Sequence, residues 1–223
     1  NAATRRALEA AGAEVVEIPG GVCCGALHAH AGDLDAARAL ARRVVRAFVA
    51  SGATALVTNS AGCGAAMREY GEWLADDREA TDAARRTSAA VRDVSEWLGD
   101  RVPTGLRPQR RRVAYDAPCH LLHAQGVREP PLRLLRAVPG LEVVELERAD
   151  RCCGAAGLYS MLQPRLSREL LARKLEEIRD ADPDLVATGN PGCLLHLAAG
   201  LRLAGLARPA VVHPVECLAA ACP

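Results

Sequence analysis

Two Cys-Cys-Gly tripeptides, Cys23-Cys24-Gly25 and Cys152-Cys153-Gly154, stand more than half a chain length apart in a chain of 223 residues. Each closes a β-rich run and a short turn: AEVVEIPGGVCCG over 13–25 and LEVVELERADRCCG over 141–154. A second pair of landmarks keeps nearly the same offset. ALVTNSAGCG (55–64) and LVATGNPGC (185–193) each run from an apolar strand through Asn to a small-residue turn and Gly-Cys. The offset from Cys63 to Cys193 differs from that between Cys23 and Cys152 by a single position. Two landmarks at one offset mark an internal duplication. The chain is therefore expected to fold as two copies of one unit, 1–104 and 105–223, the first of them short at its N-terminal end.

Within each copy, β-branched or apolar runs alternate with helix-like stretches. Strands are expected at 13–18, 54–59, 112–116, 141–147, 184–189 and 209–213. Helices are expected at 2–11, 32–51, 61–76, 79–98, 120–137, 163–181, 192–204 and 214–221. Asp33 and Asp35 fall in a first helical turn, where the helix dipole favours carboxylates, and Pro164 suits a first-turn proline after Gln163. This alternation predicts an α/β chain of two Rossmann-like units with mainly parallel sheets. In such folds ligands gather at the carboxyl ends of the strands. The stretch GDRVPTGLRPQRRR (99–112) reads as a solvated linker between the copies. The charges around Arg173, Lys174, Glu176, Glu177 and Arg179 read as a solvated helix face.

Composition removes several function classes. Lys and Arg number 28 against 27 Asp and Glu, so the basic excess of a nucleic-acid binder or a polybasic membrane anchor is missing. Half the residues are hydrophobic, but aromatics are only 3%, so Ala, Val and Leu must fill the core. No apolar run is long enough for a membrane span and no signal peptide is visible. The chain starts at Asn1 directly in helix-like sequence, which reads as a piece whose natural start lies upstream. It contains no phosphate-binding G-x-x-x-x-G-K-[ST], no H-E-x-x-H, no convincing G-x-G-x-x-G and no G-x-S-x-G nucleophile elbow.

Nine cysteines are the unusual count, in a chain too large to need a disulfide scaffold. In the second copy Cys119, Cys152, Cys153 and Cys193 each follow a predicted strand, so four thiols are expected at one sheet edge. Thiolates are soft ligands suited to zinc or an iron–sulfur cluster, not to magnesium or calcium. Adjacent cysteines fit one tetrahedral ion awkwardly, the paired C-x-x-C knuckles of a zinc site are absent, and neighbouring thiolates can serve different irons. Nearby Gly25, Gly62, Gly64, Gly154, Gly157 and Gly192 let backbone N–H groups approach sulfur. The alternatives are buried free thiols and a redox disulfide, though C-x-x-C is missing.

These motifs resemble the cysteine-rich CCG domain family, whose members include a subunit of the heterodisulfide reductases. The interval from Cys119 to Cys152 fits the family spacing, and the interval from Cys153 to Cys193 is slightly long. The family's final cysteine falls on His196 in the second copy and on Ala66 in the first. More narrowly, GVCCGALHAHAGD (21–33), TNSAGCGAAMREYG (58–71), DAPCHLLHAQGV (116–127), RCCGAAGLYSMLQP (151–164) and ATGNPGCLLHLAAGL (187–201) resemble the C-terminal part of glycolate oxidase iron–sulfur subunits. That resemblance implies metal ligation by Cys23, Cys24, Cys63, Cys119, Cys152, Cys153 and Cys193, as [4Fe–4S] or a related cluster. It implies an electron-transfer subunit of an oxidoreductase with no acid–base catalyst of its own. An FAD-bearing flavoprotein partner would oxidise glycolate and a quinone-type acceptor would take the electrons. An N-terminal ferredoxin-like region of the family is absent from this chain, and the first copy's leading cysteine would fall about ten residues before Asn1. A cytoplasmic location follows, with room for peripheral association at the inner face of the plasma membrane. Within the family the alternatives are lactate-utilisation and anaerobic glycerol-3-phosphate dehydrogenase subunits. Outside it, the alternative is a non-redox zinc or thiol scaffold.

Lesser candidates have plainer readings. His28, His30, His120 and His123 read as hydrogen-bonded surface histidines, while His196 occupies the slot of a missing thiolate. Tyr115 and Asp116 read as strand-end packing residues, and Asn59 and Asn190 as caps or turn residues. Cys217 and Cys222 lie outside the repeat and read as ordinary thiols.

Overall fold

The computed structural model describes residues 1–18 and 22–223, so the turn expected at 19–21 lies outside the described residues. The strand-forming runs pair into two parallel sheets. In the first, β1 (Leu56–Thr58) pairs β2 (Val91–Asp93) with Leu56 opposite Val91. In the second, β3 (Arg111–Tyr115), β4 (Leu141–Glu145), β5 (Leu185–Ala187) and β6 (Ala210–Val212) lie in the order β4-β3-β5-β6, all parallel. Val113 sits opposite both Val143 and Leu185, so β3 is central, and its Val113, Ala114 and Tyr115 are buried accordingly.

The helices α1 (Ala2–Ala10), α2 (Ala26–His30), α3 (Leu34–Ser51), α4 (Ala61–Arg68), α5 (Tyr70–Trp73), α6 (Thr81–Ala90) and α7 (Val94–Leu98) accompany the first sheet in the chain. A single π-helical turn (His120–Ala124), then α8 (Glu129–Ala137), α9 (Tyr159–Leu162), α10 (Pro164–Ala181), α11 (Pro191–Leu203) and α12 (Pro214–Ala221) accompany the second. The duplication is visible in space. Helices α3 and α10 have 18 residues each, start at the same offset that separates Cys63 from Cys193, and each follow a Cys-Cys-Gly turn. Asp33 caps α3 by accepting from the Ala36 N–H at 3.1 Å, and Pro164 opens α10 at a position where its missing N–H costs nothing. Apolar residues at helical spacing, Ala37, Ala41, Val44, Val45 and Phe48, turn α3 inward.

Three cores result. One lies under α3, α4 and α6, around Val44, Met67, Tyr70 and Leu74. One lies between the second sheet and helices α10 and α11, around Leu171, Leu175, Ile178, Val186 and Leu197. The third joins the two halves: Leu8 of α1, Leu98 of α7, Leu134 of α8 and Leu218 of α12 pack together. Fully burying a leucine is worth about 1.5–3 kcal/mol, so this shared cluster is a substantial bond between the units.

Four expectations change. Residues 13–18 form no ladder with either sheet among the described residues. The helix expected at 79–98 is cut by β2: buried Val91 pairs with β1, and Asp93 then starts α7 with a capping box to Glu96. The helix expected at 61–76 breaks at Glu69, because the Ser88 hydroxyl inserts between the Gly71 N–H (3.1 Å) and the Met67 carbonyl (3.0 Å). The helix expected at 120–137 breaks at Gly126, whose φ of 69° and the Pro130-Pro131 pair behind it belong to a helix start, not an interior.

Candidate metal centre

The second cysteine set sits where three chain crossings leave the sheet. Cys119 follows β3, Cys152 and Cys153 follow β4, and Cys193 lies in the first turn of α11 after β5. Cys153 and Cys193 are buried; Cys119 and Cys152 are half-buried. The free thiols act on one another's ionisation in sequence: Cys119 on Cys152, Cys152 on Cys153, and Cys153 on Cys193. Hydrogen bonds from Cys119 and Cys153 push the Cys152 thiol down to about 2, with help from the Gly154 N–H, which donates to its Sγ at 3.3 Å. The same bonds, with burial, push Cys119 and Cys153 up. The Asn190 amide donates to the Cys193 Sγ at 3.5 Å.

The first set is a shorter version. Cys24 is buried, Cys63 half-buried and Cys23 exposed. A hydrogen bond from Cys24, aided by Ser60, pushes Cys63 down to about 6, while Cys24 moves up. The Gly25 N–H donates to the Cys23 Sγ at 3.5 Å, matching Gly154 on Cys152. Gly25 and Gly154 have φ of 82° and 93°, and a Cβ added to them would come within 3.0 Å of the Ala37 carbonyl oxygen and 2.5 Å of the Ser167 carbonyl oxygen. Both turns can therefore press onto their helix only as glycine.

The two sets face one seam. The turn after β1 is stitched to the turn after β5: the Ala61 N–H donates to the Gly189 carbonyl (3.1 Å) and the Gly62 N–H to the Asn190 side-chain oxygen (3.2 Å). The Gln125 amide donates to the Ala61 carbonyl at 2.8 Å, and the rings of His30 and His120 meet edge-on at 6.0 Å.

Among the described residues, no three His, Cys, Asp or Glu side chains are arranged around one metal-ion position. This donor set, soft thiolates with N–H groups aimed at sulfur, fits a group with several metal atoms held by one thiolate each better than a single ion. Cys119, Cys152, Cys153 and Cys193 could hold such a group in the second unit, and Cys23, Cys24 and Cys63 could contribute to one in the first.

The remaining candidates separate cleanly. His28 pairs Asp33 at 3.5 Å on the surface, and His123 is exposed. His120 lies with Nδ1 3.7 Å from the Cys119 Sγ. The His196 Nε2 stands 3.3 Å from the Ser167 hydroxyl, beside Gly154. Asn190 is the N-cap residue of α11 but forms no capping bond, because its side chain serves Gly62 and Cys193; Asn59 bonds the Thr4 hydroxyl at 2.8 Å. Cys217 and Cys222 are buried in and just after α12, and burial pushes Cys217 up to about 11. Two expectations are corrected. Lys174 is 1% exposed and Glu177 mostly buried, so this part of α10 is not a solvated face: Lys174 turns inward to a carboxylate. That carboxylate is Asp116, also 1% exposed, so Asp116 is an ionic partner and not a packing residue. Nothing in the local pattern marks Lys174, since lysine is almost always a surface residue.

A family model described as a cysteine-rich domain, CCG, matches residues 1–68 and 113–198. The chain is 34% identical over 223 residues to the probable glycolate oxidase iron–sulfur subunit of Bacillus subtilis, covering 98% of this chain and 50% of that protein. It is 36% identical to a subunit of the fumarate reductase (CoM/CoB) of Methanothermobacter marburgensis, covering 91% of this chain and 39% of that protein. It is 33% identical to lactate utilization protein A of Geobacillus kaustophilus, covering 97% of this chain and 90% of that protein. The chain thus spans half or less of the first two relatives and nearly all of the third. Among the described residues no helix is long and apolar enough to cross a membrane.

Proposed function

The chain belongs to the CCG cysteine-rich domain family, and on that premise we propose that it is the electron-transferring iron–sulfur part of a glycolate-oxidising, glycolate dehydrogenase-type complex. The observation that carries this reading is the pair of matched thiol sets, the second gathered at the ends of three strands, each with a glycine N–H on the first sulfur of its Cys-Cys-Gly turn. Units 1–104 and 105–223 each carry one set. Cys119, Cys152, Cys153 and Cys193 hold a cluster of the [4Fe–4S] kind, and Cys23, Cys24 and Cys63 contribute to a second. Such a cluster, when bound, supplies one-electron exchange without acid–base chemistry. The chain's own residues do the rest. Burial of Cys24, Cys153 and Cys193 keeps water from sulfur, and the Gly154 N–H and Asn190 amide stabilise thiolate charge. No residue is assigned a catalytic role: substrate oxidation belongs to an FAD-bearing flavoprotein partner, and the electrons pass toward a quinone-type acceptor. The complex works on the cytoplasmic side, docked peripherally at the membrane where that acceptor resides.

A second reading takes lactate as the substrate. It is favoured by the 90% of lactate utilization protein A that the chain covers, against 50% of the glycolate oxidase relative. Mixing the iron-loaded chain with its flavoprotein partner under anaerobic conditions tests both. Bleaching of the visible absorption by glycolate, and not by lactate, supports the first reading; the reverse supports the second. A colourless protein that no substrate reduces, with zinc bound, points to the scaffold alternative.

A further inference from the structure

Helix α10 underlies the second cysteine set as α3 underlies the first. At the repeat offset Ala37, Ala41, Val44 and Phe48 of α3 correspond to Ser167, Leu171, Lys174 and Ile178 of α10, and all eight are buried. The inward face is thus wholly apolar in one unit and carries a hydroxyl and an ammonium in the other. Val44 is 3% exposed and Lys174 1% exposed, so the same slot takes an apolar side chain in one copy and a cation in its twin. An ammonium removed from water costs several kcal/mol unless it is paired and fully hydrogen-bonded.

Its partners account for that, and they are the chain segments that carry the thiols. The Lys174 Nζ lies 3.2 Å from the Asp116 Oδ1 and 3.5 Å from the Glu177 Oε2. It donates to the backbone carbonyls of Arg148 (2.8 Å) and Ala149 (3.4 Å), just ahead of Cys152. Asp116, shortly before Cys119 in the chain, accepts at Oδ2 from the hydroxyl of Thr188 (3.0 Å), which itself shortly precedes Cys193. The Ala117 N–H closes the ring on the Ala149 carbonyl at 3.2 Å. Two turns earlier on the same face, the Ser167 hydroxyl donates to the Gly154 carbonyl at 2.9 Å, so α10 grips the Cys152-Cys153 loop from both sides. Among the described residues, no side chain of α3 bonds the backbone of 22–25; Cys24 is held from α5 instead, by the Tyr70 hydroxyl at 2.8 Å.

We propose that Lys174 is the positioning residue of the second cysteine set: its ammonium, through Asp116 and Thr188, holds the three thiol-bearing segments in register, where the first unit has Val44 in the same slot. The test uses the full chain with Lys174→Met and with the double variant Asp116→Asn/Lys174→Met. The double variant removes both charges, which restores stability where a lone buried carboxylate would not. Backbone hydrogen exchange, read without any metal, is expected to speed about tenfold or more over 148–154 in both variants and to stay unchanged over 22–26. The melting temperature is expected to fall in the single variant and to recover in the double one. Loop exchange that recovers along with melting temperature, or a rise spread evenly over both units, would reduce Lys174 to a general fold stabiliser and overturn the proposal. So would a double variant that fails to fold, because the twin unit folds around Val44. The iron-loaded arm rests on the iron–sulfur reading: the electron paramagnetic resonance signal of the second site is expected to broaden or vanish while that of the first survives. A wild-type chain without iron and sulfide would sink that reading alone, since the exchange arm needs neither. Unchanged signals from both sites in the single variant would count against Lys174.

Discussion

Gly154 packs so closely that its missing side chain is part of the site. A Cβ there would stand 2.5 Å from the Ser167 carbonyl oxygen, at a φ of 93°, against 3.0 Å from the Ala37 carbonyl oxygen at the twin Gly25. Gly154→Ala is therefore expected to destabilise the chain by about 2 kcal/mol or more, and Gly25→Ala by less, as read by urea unfolding. The larger effect at Gly25 would contradict the geometry. The paired landmarks Cys23, Cys24, Cys63, Cys152, Cys153 and Cys193 and these glycines were readable from spacing alone, because repetition at one offset needs no knowledge of contacts; Cys119 has no twin in the chain and was marked by its place after a strand. The ion pair of Lys174 and Asp116 was not. A lysine inside a charged helical stretch looks solvated, and only the docking of α10 across β3 turns it toward a carboxylate far back in the chain, at the end of β3.

At the scale of elements, caps and breaks decide where helices begin and end. His213 opens α12: its ring Nδ1 accepts from the Val215 N–H at 3.1 Å, and Glu216 accepts from the His213 N–H at 2.7 Å. Burial pushes His213 down to about 4. The unfolded chain, with an ordinary histidine near 6.5, binds the extra proton first, so this group's contribution is intact above about pH 6.5 and is lost as pH falls toward 4. The cap loses its acceptor when the ring is protonated, in keeping with that sign. His213→Asn keeps a capping side chain without the titration. Its stability deficit against wild type is expected to shrink by about 3 kcal/mol between neutral pH and pH 4. A deficit independent of pH would show that the fold leaves the His213 ring as basic as it is in the unfolded chain. Most strands and helices were legible from periodicity. The errors were at β2, a three-residue strand hidden in a helical pattern, at 13–18, a strand-like run that forms no ladder, and at the breaks near Glu69 and Gly126, which long-range hydrogen bonding and a left-handed glycine impose.

The whole molecule is held together twice, by the shared cluster of α1, α7, α8 and α12 and by the stitched turns at the cysteine seam. Leu134, fully buried in that cluster, should cost about 2–5 kcal/mol when replaced by Ala. The loss is expected as one cooperative transition, followed by circular dichroism; two separated transitions would mean that the units unfold independently. The duplication was visible in the sequence, whereas the joining cluster was not, since it draws on helices from opposite ends of the chain. The most direct test of the account is iron, zinc and acid-labile sulfide per chain after anaerobic purification, in wild type and in Cys152→Ser. The account predicts iron and sulfide in equal amounts, about four of each per occupied unit, with the second unit's share lost in the variant. Zinc without sulfide, or a metal content that Cys152→Ser leaves unchanged, would contradict it.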